Sequence, residues 1–193
     1  MLFSVKQGEH KEKVDGDRLR MRVIRTVMDC LHDGQIEVRV KAAQVFGGMI
    51  HCQFIRSDSW PAMITTLKTT CDDHGPDDGL KSPVMVTVRR HGAILGLCSF
   101  INAFPHTVPA IIPDLLLYLG RFLHCKQPIP GRSPSLTLYV ILFIFFPDLA
   151  TIKKTVQNWK RTHTDNWTEH SAAFTEDQLT ELTDLLVSPS YYA

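Results

Sequence analysis

The chain has 193 residues, 44% of them hydrophobic, and its 21 lysines and arginines nearly balance its 20 aspartates and glutamates. This length is enough for one domain with a sizeable core or for several stacked helical repeats. The balanced charge excludes a global field that would recruit nucleic acid or an acidic membrane, so we expect neither as a direct partner.

The cysteines and the N-terminus indicate a protein of the nucleus and cytoplasm. Five cysteines are odd in number, widely spaced and without a C-x-x-C pair: Cys30, Cys52, Cys71, Cys98 and Cys125. This pattern is typical of reduced thiols. Residues 1–17 hold little apolar bulk, so we expect no secretory signal there and a disordered N-terminus.

Two amphipathic helices are predicted next. Apolar residues recur at helical spacing over Arg18–Leu31, and a second apolar face over Ile36–Cys52 contains Ile36, Val40, Ala43, Phe46, Gly47 and Ile50. Because the connection between them is short, these helices should pack antiparallel. The small residues Ala42, Ala43, Gly47 and Gly48 would let a neighbouring helix approach closely.

A pattern in the second helix recurs farther along the chain. Glu37-Val38-Arg39, followed by Ala42-Ala43 and Phe46-Gly47, resembles the second helix of a HEAT repeat, and Val88–Gly96 resembles it again. Such recurrence indicates a solenoid of stacked helix pairs.

Three helices and one long loop are predicted in the middle of the chain. Helices are predicted over Ser57–Thr70, Val84–Ala103 and Pro109–His124. The intervening loop, Cys71–Ser82, is rich in aspartate but departs from the calcium-loop pattern. We therefore predict no metal and no cofactor.

An apolar run interrupts the repeats. Leu136–Phe146 has no charged residue and lies between Pro134 and Pro147. It is shorter than the roughly 17–25 residues that span a bilayer, so we predict that it does not cross a membrane. We interpret 131–149 as an atypical apolar insertion.

The C-terminal region is predicted to be helical again. Ala150–His163 places Ile152, Val156 and Trp159 inward and a basic face outward, formed by Lys153, Lys154, Lys160 and Arg161. That face is either simply solvated or meets an acidic partner. Asp165–Phe174 predicts a short helix, and Thr175 with Gln178 forms a capping box that starts the last one.

Pro189 should end the last helix and release Ser188–Ala193 as an extended tail. Two tyrosines, Tyr191 and Tyr192, then lie beside the terminal carboxylate. Such a tail fits insertion into a pocket, although the rings could instead fold back onto the last helix.

These C-terminal residues resemble one known family. Asn158–His163, Asp165–Trp167, Phe174–Leu179 and Leu182–Ala193 closely resemble the C-terminus of the large ATP-independent HEAT-repeat proteasome activators. More loosely, the resemblance extends back to about Arg22, apart from 131–149. It implies an all-α, HEAT-like α-solenoid of antiparallel helix pairs over 18–187, with a docking tail at 188–193.

The resemblance also implies a function. In that family a terminal hydrophobic-Tyr-any tripeptide, here Tyr191, Tyr192 and Ala193, enters a pocket between two α-ring subunits of the proteasome core particle and promotes gate opening. The family is also described as recognising acetylated histones. Its Asn-Phe pair falls at Gln53 and Phe54, where glutamine replaces asparagine.

We predict that the chain is not an enzyme. Its histidines are scattered, it lacks nucleophile-elbow and phosphate-loop motifs and a zinc pair, and Cys52 and Cys98 lie on apolar helix faces typical of inert core. The alternative function is a helical-repeat scaffold that binds proteins through a concave surface and has no activator activity of its own.

Overall fold

A computed structural model describes residues 2–73, 83–123 and 136–186, with side chains described for 15–73, 84–123 and 148–183. Every regular element in these ranges is helical, as the sequence predicted. The α-helices are α1 Leu2–Cys30, α2 Ile36–His51, α3 Trp60–Asp72, α4 Pro83–Asn102, α5 Ile112–Leu123, α6 Leu136–His163, α7 Trp167–His170 and α8 Glu176–Leu186. Short 3₁₀ turns at Ser57–Ser59 and Ser171–Ala173 precede α3 and follow α7.

The helices stack in two layers. In the first layer α4 lies between α2 and α6, and in the second α5 contacts α8 and is joined to α3. Between α2 and α4, bonded residues are 52 positions apart both for Arg39 with His91 and for His51 with Ala103. Between α3 and α5 the separations are 50 for Lys68 with Tyr118 and 49 for Asp72 with Arg121. A constant offset means that neighbouring helices in a layer run parallel. Consecutive helices pair across the layers, which confirms the predicted helical-repeat fold.

Helix α4 is the centre of the core. All of residues 91–100 are buried, and α4 contacts α2, α3, α5 and α6. The Phe100 ring meets Phe46 edge to face with centroids 5.5 Å apart, and it meets Trp60 at 6.3 Å. In the described residues, Val84–Asn102 is also long and apolar enough to cross a membrane by length and composition, but 61% of it is buried inside the structure.

Glycines allow the helices around α4 to pack closely. A Cβ atom on Gly92 would lie 1.7 Å from the Leu31 carbonyl oxygen, so only glycine fits against the end of α1. Gly47 lies against Ser99, and a Cβ there would be 3.4 Å from the Ser99 carbonyl oxygen. Gly48, which we also expected at a helix contact, instead has nothing within 4 Å of its Cβ position. Close packing at Gly92 offsets the roughly 1 kcal/mol by which glycine disfavours a helix.

A buried polar cluster joins α2, α4 and α6. Arg39, on α2, donates from Nε to His91 Nδ1 at 2.9 Å and from Nη1 to the carbonyls of Asp33 and Gly34. His91 Nε2, on α4, faces Asp148 Oδ1 on α6 at 3.9 Å. All three side chains are buried. The cluster therefore links the three parallel helices of the first layer at one level.

The ionisation of this cluster follows from its burial. Burial lowers the pKa of His91 to about 4, with a further contribution from the Arg39 guanidinium. Because His91 Nδ1 accepts the bond from Arg39, the ring is neutral and its proton is on Nε2. Burial raises the pKa of Asp148 to about 7, against the opposing effect of the Arg90 and Arg39 guanidinium groups. Asp148 is thus the member of the cluster that titrates near neutral pH.

The structure corrects three expectations about the helices. Residues 2–17, expected to be disordered, form the first part of α1, because a charged segment rich in lysine and glutamate has good helix propensity. Helix α6 begins at Leu136 rather than Ala150 and continues through Pro147. Its apolar run contains no break other than that proline, and β-branched and aromatic residues disfavour a helix only weakly. On α2, the predicted inward residues Ile36 and Val40 are 42% and 36% exposed.

Phe46→Ala should lower the free energy of unfolding by about 3–5 kcal/mol, because it removes a fully buried ring and leaves a cavity against Phe100. Urea denaturation followed by circular dichroism measures the loss. The neighbouring Val45→Ala is the matched control, because Val45 is 52% exposed. A loss below about 1 kcal/mol for Phe46→Ala would contradict this core.

Asp148→Asn should change the pH dependence of stability. A carboxyl group whose pKa rises from 3.8 to about 7 on folding contributes stability that is fully present below pH 3.8 and is lost as pH rises through 7. Neutral His91 contributes stability with the opposite pH dependence, because this contribution is lost as pH falls through about 4. The Asp148→Asn variant keeps His91 and therefore keeps this contribution. The unfolding free energy of the variant, minus that of the wild type, should therefore increase by about 2 kcal/mol between pH 5 and pH 8.

Urea denaturation at several pH values tests this difference. Asp165→Asn is the matched control, because it makes the same chemical change at an exposed position. A pH-independent difference for Asp148→Asn would show that its carboxyl group does not titrate in this range.

Candidate functional site

The last described helix, α8, is fixed at its start by the predicted capping box. The Thr175 backbone N–H donates to Gln178 Oε1 at 3.0 Å, and the Gln178 N–H donates to Thr175 Oγ1 at 3.2 Å. Gln178 Nε2 also donates to Asp114 Oδ1 on α5 at 2.7 Å, and Leu182 is buried. The predicted docking residues Tyr191, Tyr192 and Ala193 lie outside the described residues. The structure therefore describes the helix that precedes the tail.

An aromatic cluster connects α8 to the rest of the molecule. The indole of Trp159, on α6, stacks on His163 with centroids 4.7 Å apart and meets Phe174 edge to face at 5.9 Å. His170 packs against His163 at 4.7 Å, and its Nε2 lies 3.3 Å from the His106 carbonyl oxygen. As predicted, Ile152, Val156 and Trp159 all face inward. The segment that leads to the tail is held by buried rings.

Besides the helix that precedes the tail, a candidate binding surface is a concave groove of about 750 Å³ across the first layer. One face of each of α2, α4 and α6 lines it, together with Pro105. Val40, Ala43 and Gly47, which the sequence placed on one apolar face of α2, lie along its wall. The groove is the concave surface that a scaffold function would use.

Two of the described cysteines, Cys71 and Cys98, are buried in the core. Burial raises the pKa of the Cys98 thiol to about 12, although a hydrogen bond with Thr155 lowers it in part. Burial likewise raises the pKa of Cys71 to about 12. Cys52, expected in the core, is exposed because it caps the end of α2. The two buried thiols are protonated at neutral pH and unreactive.

The aspartate-rich loop after α3 is only partly described. Asp72 forms an ion pair with Arg121 on α5, with Oδ1 and Nη2 3.0 Å apart. His74, Asp77 and Asp78 lie outside the described residues. Within the described ranges, no group of three or more His, Cys, Asp and Glu side chains could hold a metal ion.

The proposed acetyl-lysine residues lie on the surface after α2. Gln53 has a positive φ of 58°, a conformation that glutamine adopts rarely, and Phe54 is 36% exposed. Neither residue lines the concave groove. Recognition of acetylated histones through this pair stays a prediction.

The basic face of α6 is exposed as expected, at Lys153, Lys154, Lys160 and Arg161. Lys154 differs from the other three because it alone also lines the groove. Sequence reasoning grouped all four as one basic face and missed the difference. It missed the Arg39, His91 and Asp148 cluster as well, and the sequence signal for it is weak, because other charged residues flank Arg39 and His91.

Comparison with protein families gives a match over the second half of the chain. Residues 87–135 and 148–193 match the family described as "Proteasome activator complex subunit 4-like, C-terminal". Residues 136–147 lie between the two matched segments and within the expected insertion at 131–149. The origin of that segment stays a prediction.

Individual relatives extend the similarity toward the N-terminus. The chain is 38% identical over 175 residues to Proteasome activator complex subunit 4B of Danio rerio and 37% identical over 175 residues to Proteasome activator complex subunit 4 of Homo sapiens. Each match covers 86% of this chain and 8% of the relative. Proteasome activator BLM10 of Saccharomyces cerevisiae is 24% identical over 176 residues, which cover 89% of this chain and 7% of that protein. The chain belongs to the proteasome activator complex subunit 4-like family, and it corresponds to the C-terminal region of these much longer proteins.

Proposed function

We propose that this chain acts in ATP-independent activation of the proteasome core particle, with Tyr191, Tyr192 and Ala193 as the docking residues. The observation that carries the proposal is the family match over 148–193, which includes this tripeptide. The relatives are themselves named proteasome activators. The tail would insert into a pocket between two α-ring subunits and promote gate opening.

The chemistry of the tail supports insertion. A tyrosine ring contributes a large apolar area and its hydroxyl a hydrogen bond, while the Ala193 carboxylate would pair with a lysine of the pocket. Helix α8, capped at Thr175 and bonded to Asp114, gives the tail a fixed starting point. Fixing that point lowers the conformational entropy lost when the tail docks.

The location of the chain follows from the same proposal. The activator would act in the nucleus and cytoplasm, where thiols stay reduced. The four cysteines in the described part of the chain are free, which is compatible with such a compartment.

Tyr192→Ala should weaken binding to the core particle about 30- to 1,000-fold, since loss of an anchor residue at an interface costs about 2–4 kcal/mol. Appending one glycine after Ala193 should be comparably harmful, because it moves the carboxylate away from its lysine and leaves both rings intact. Pull-down of purified core particles measures both effects. Phe54→Ala is the control, since it removes an exposed aromatic ring far from the tail in sequence and should change nothing.

Three outcomes separate the alternatives. Equal recovery by all variants would exclude tail docking, and tolerance of the added glycine alone would indicate a generic aromatic contact. Hydrolysis of a fluorogenic peptide by the core particle tests gate opening. Binding without stimulation would favour the second candidate, a protein-binding scaffold, which the concave groove supports.

A further inference from the structure

The concave groove has the form of a peptide-binding channel. It is lined by one face of each of the three parallel helices α2, α4 and α6, and the lining includes the small residues Ala43, Gly47, Gly48, Cys98, Ser99 and Ala103. Small side chains make up much of this lining, so a ligand backbone can approach the helices closely. A volume of about 750 Å³ is within the range of roughly 300–1,000 Å³ typical of ligand sites.

Each helix presents one primary amide to the groove. Gln44, Asn102 and Asn158 are all exposed there. Gln44 Oε1 and Asn158 Oδ1 accept bonds from Lys41 and Arg161, which leaves their NH₂ donors available, and the Asn102 amide makes no hydrogen bond with the described residues. An amide side chain both donates and accepts, so it can match the N–H and C=O groups of an extended peptide backbone.

The charge of the groove selects the side chains of the ligand. Lys154 is the single lysine, arginine, aspartate or glutamate among the described residues that line it, and it is exposed. The described residues offer no carboxylate within ion-pair distance of Lys154. His51 Nδ1 lies 2.8 Å from the Ala103 carbonyl oxygen and donates a hydrogen bond to it. An acidic side chain near Lys154 would therefore meet attraction and no opposing carboxylate of the lining.

The spacing of the helices sets the length of the ligand. Packed helices lie about 8–10 Å apart, so α2 and α6 are separated by about 16–20 Å. An extended chain of about five or six residues covers that distance.

We propose that the groove binds an extended acidic segment of a partner protein, with its backbone held by Gln44, Asn102 and Asn158 and one carboxylate paired with Lys154. This site is on the first layer, and α8, which precedes the tail, packs on α5 in the second. The proposal does not depend on docking to the proteasome.

Three fluorescein-labelled hexapeptides test it, each alternating serine with glutamate, glutamine or lysine. The full chain is titrated against each peptide, and binding is followed by fluorescence anisotropy. The glutamate peptide should bind most tightly and the lysine peptide least. Lys154→Glu should weaken the glutamate peptide about tenfold, or about 1.4 kcal/mol. Lys153→Glu, a charge reversal on the adjacent exposed residue outside the groove, should change its affinity by no more than about twofold.

Two further variants test the groove itself. Asn102→Ala should weaken the glutamate and glutamine peptides by the same factor, because it removes a backbone contact. Gly48→Leu should abolish binding by filling the groove, and it should still fold because nothing lies within 4 Å of the Cβ position. Neither variant alters the C-terminal tail, so failure here is separate from failure of core-particle docking.

Several results would overturn the proposal. These are equal binding of the glutamate and lysine peptides, equal effects of Lys153→Glu and Lys154→Glu, full affinity in Gly48→Leu, or no saturable binding below about 1 mM. If the peptides fail to bind and Gly48→Leu instead converts a dimer into a monomer in sedimentation, the occupant of the groove is a second copy of this chain.

Discussion

The close approach of neighbouring helices to α4 is the constraint on which the rest of the structure depends. Ser99 Oγ on α4 donates to the Ala43 carbonyl oxygen on α2 at 2.7 Å, a direct bond between a side chain of one helix and the backbone of the next. Such a bond requires a small residue at the contact, and Gly47, which lies against Ser99, provides it. The same spacing places the groove-lining faces of α2, α4 and α6 side by side. The groove therefore follows from the packing of the core.

The buried polar cluster shows what else holds this layer together. Burying Arg39, His91 and Asp148 costs desolvation free energy, and Asp148 Oδ1 has no hydrogen-bond partner in the described part of the chain. Apolar residues at these positions would avoid that cost. The cluster instead fixes the relative level of the three helices, because Arg39 can reach His91 and the carbonyls after α1 only in one register. The cluster therefore sets the register between neighbouring helix pairs of the stack.

Sequence reasoning recovered local features well. The capping box at Thr175, the inward face of Ile152, Val156 and Trp159, and the positions of α2, α3 and α4 all follow from nearest neighbours along one helix, and the structure confirms them. Exposure at Ile36 and Val40 could not be predicted, because periodicity shows which face of a helix is apolar and not how far the next helix covers it. The cluster around His91 was missed for the same reason. Its members are more than fifty positions apart, and the offset between parallel helices is set by packing.

The arrangement of the two layers also separates the two proposed binding surfaces of the chain. Helix α8 contacts α5 and α6, and its first turn is bonded to Asp114 on α5, so the helix that precedes the tail is anchored mainly on the second layer. The groove belongs to the first layer, and its wall on α6 contains Lys154 and Asn158, one turn apart on the same helix that holds Trp159 in the aromatic cluster below α8. Helix α6 is thus the element shared by both surfaces. One contact between α6 and the segment leading to α8 is the Trp159 ring, which packs against Phe174 at the start of that segment.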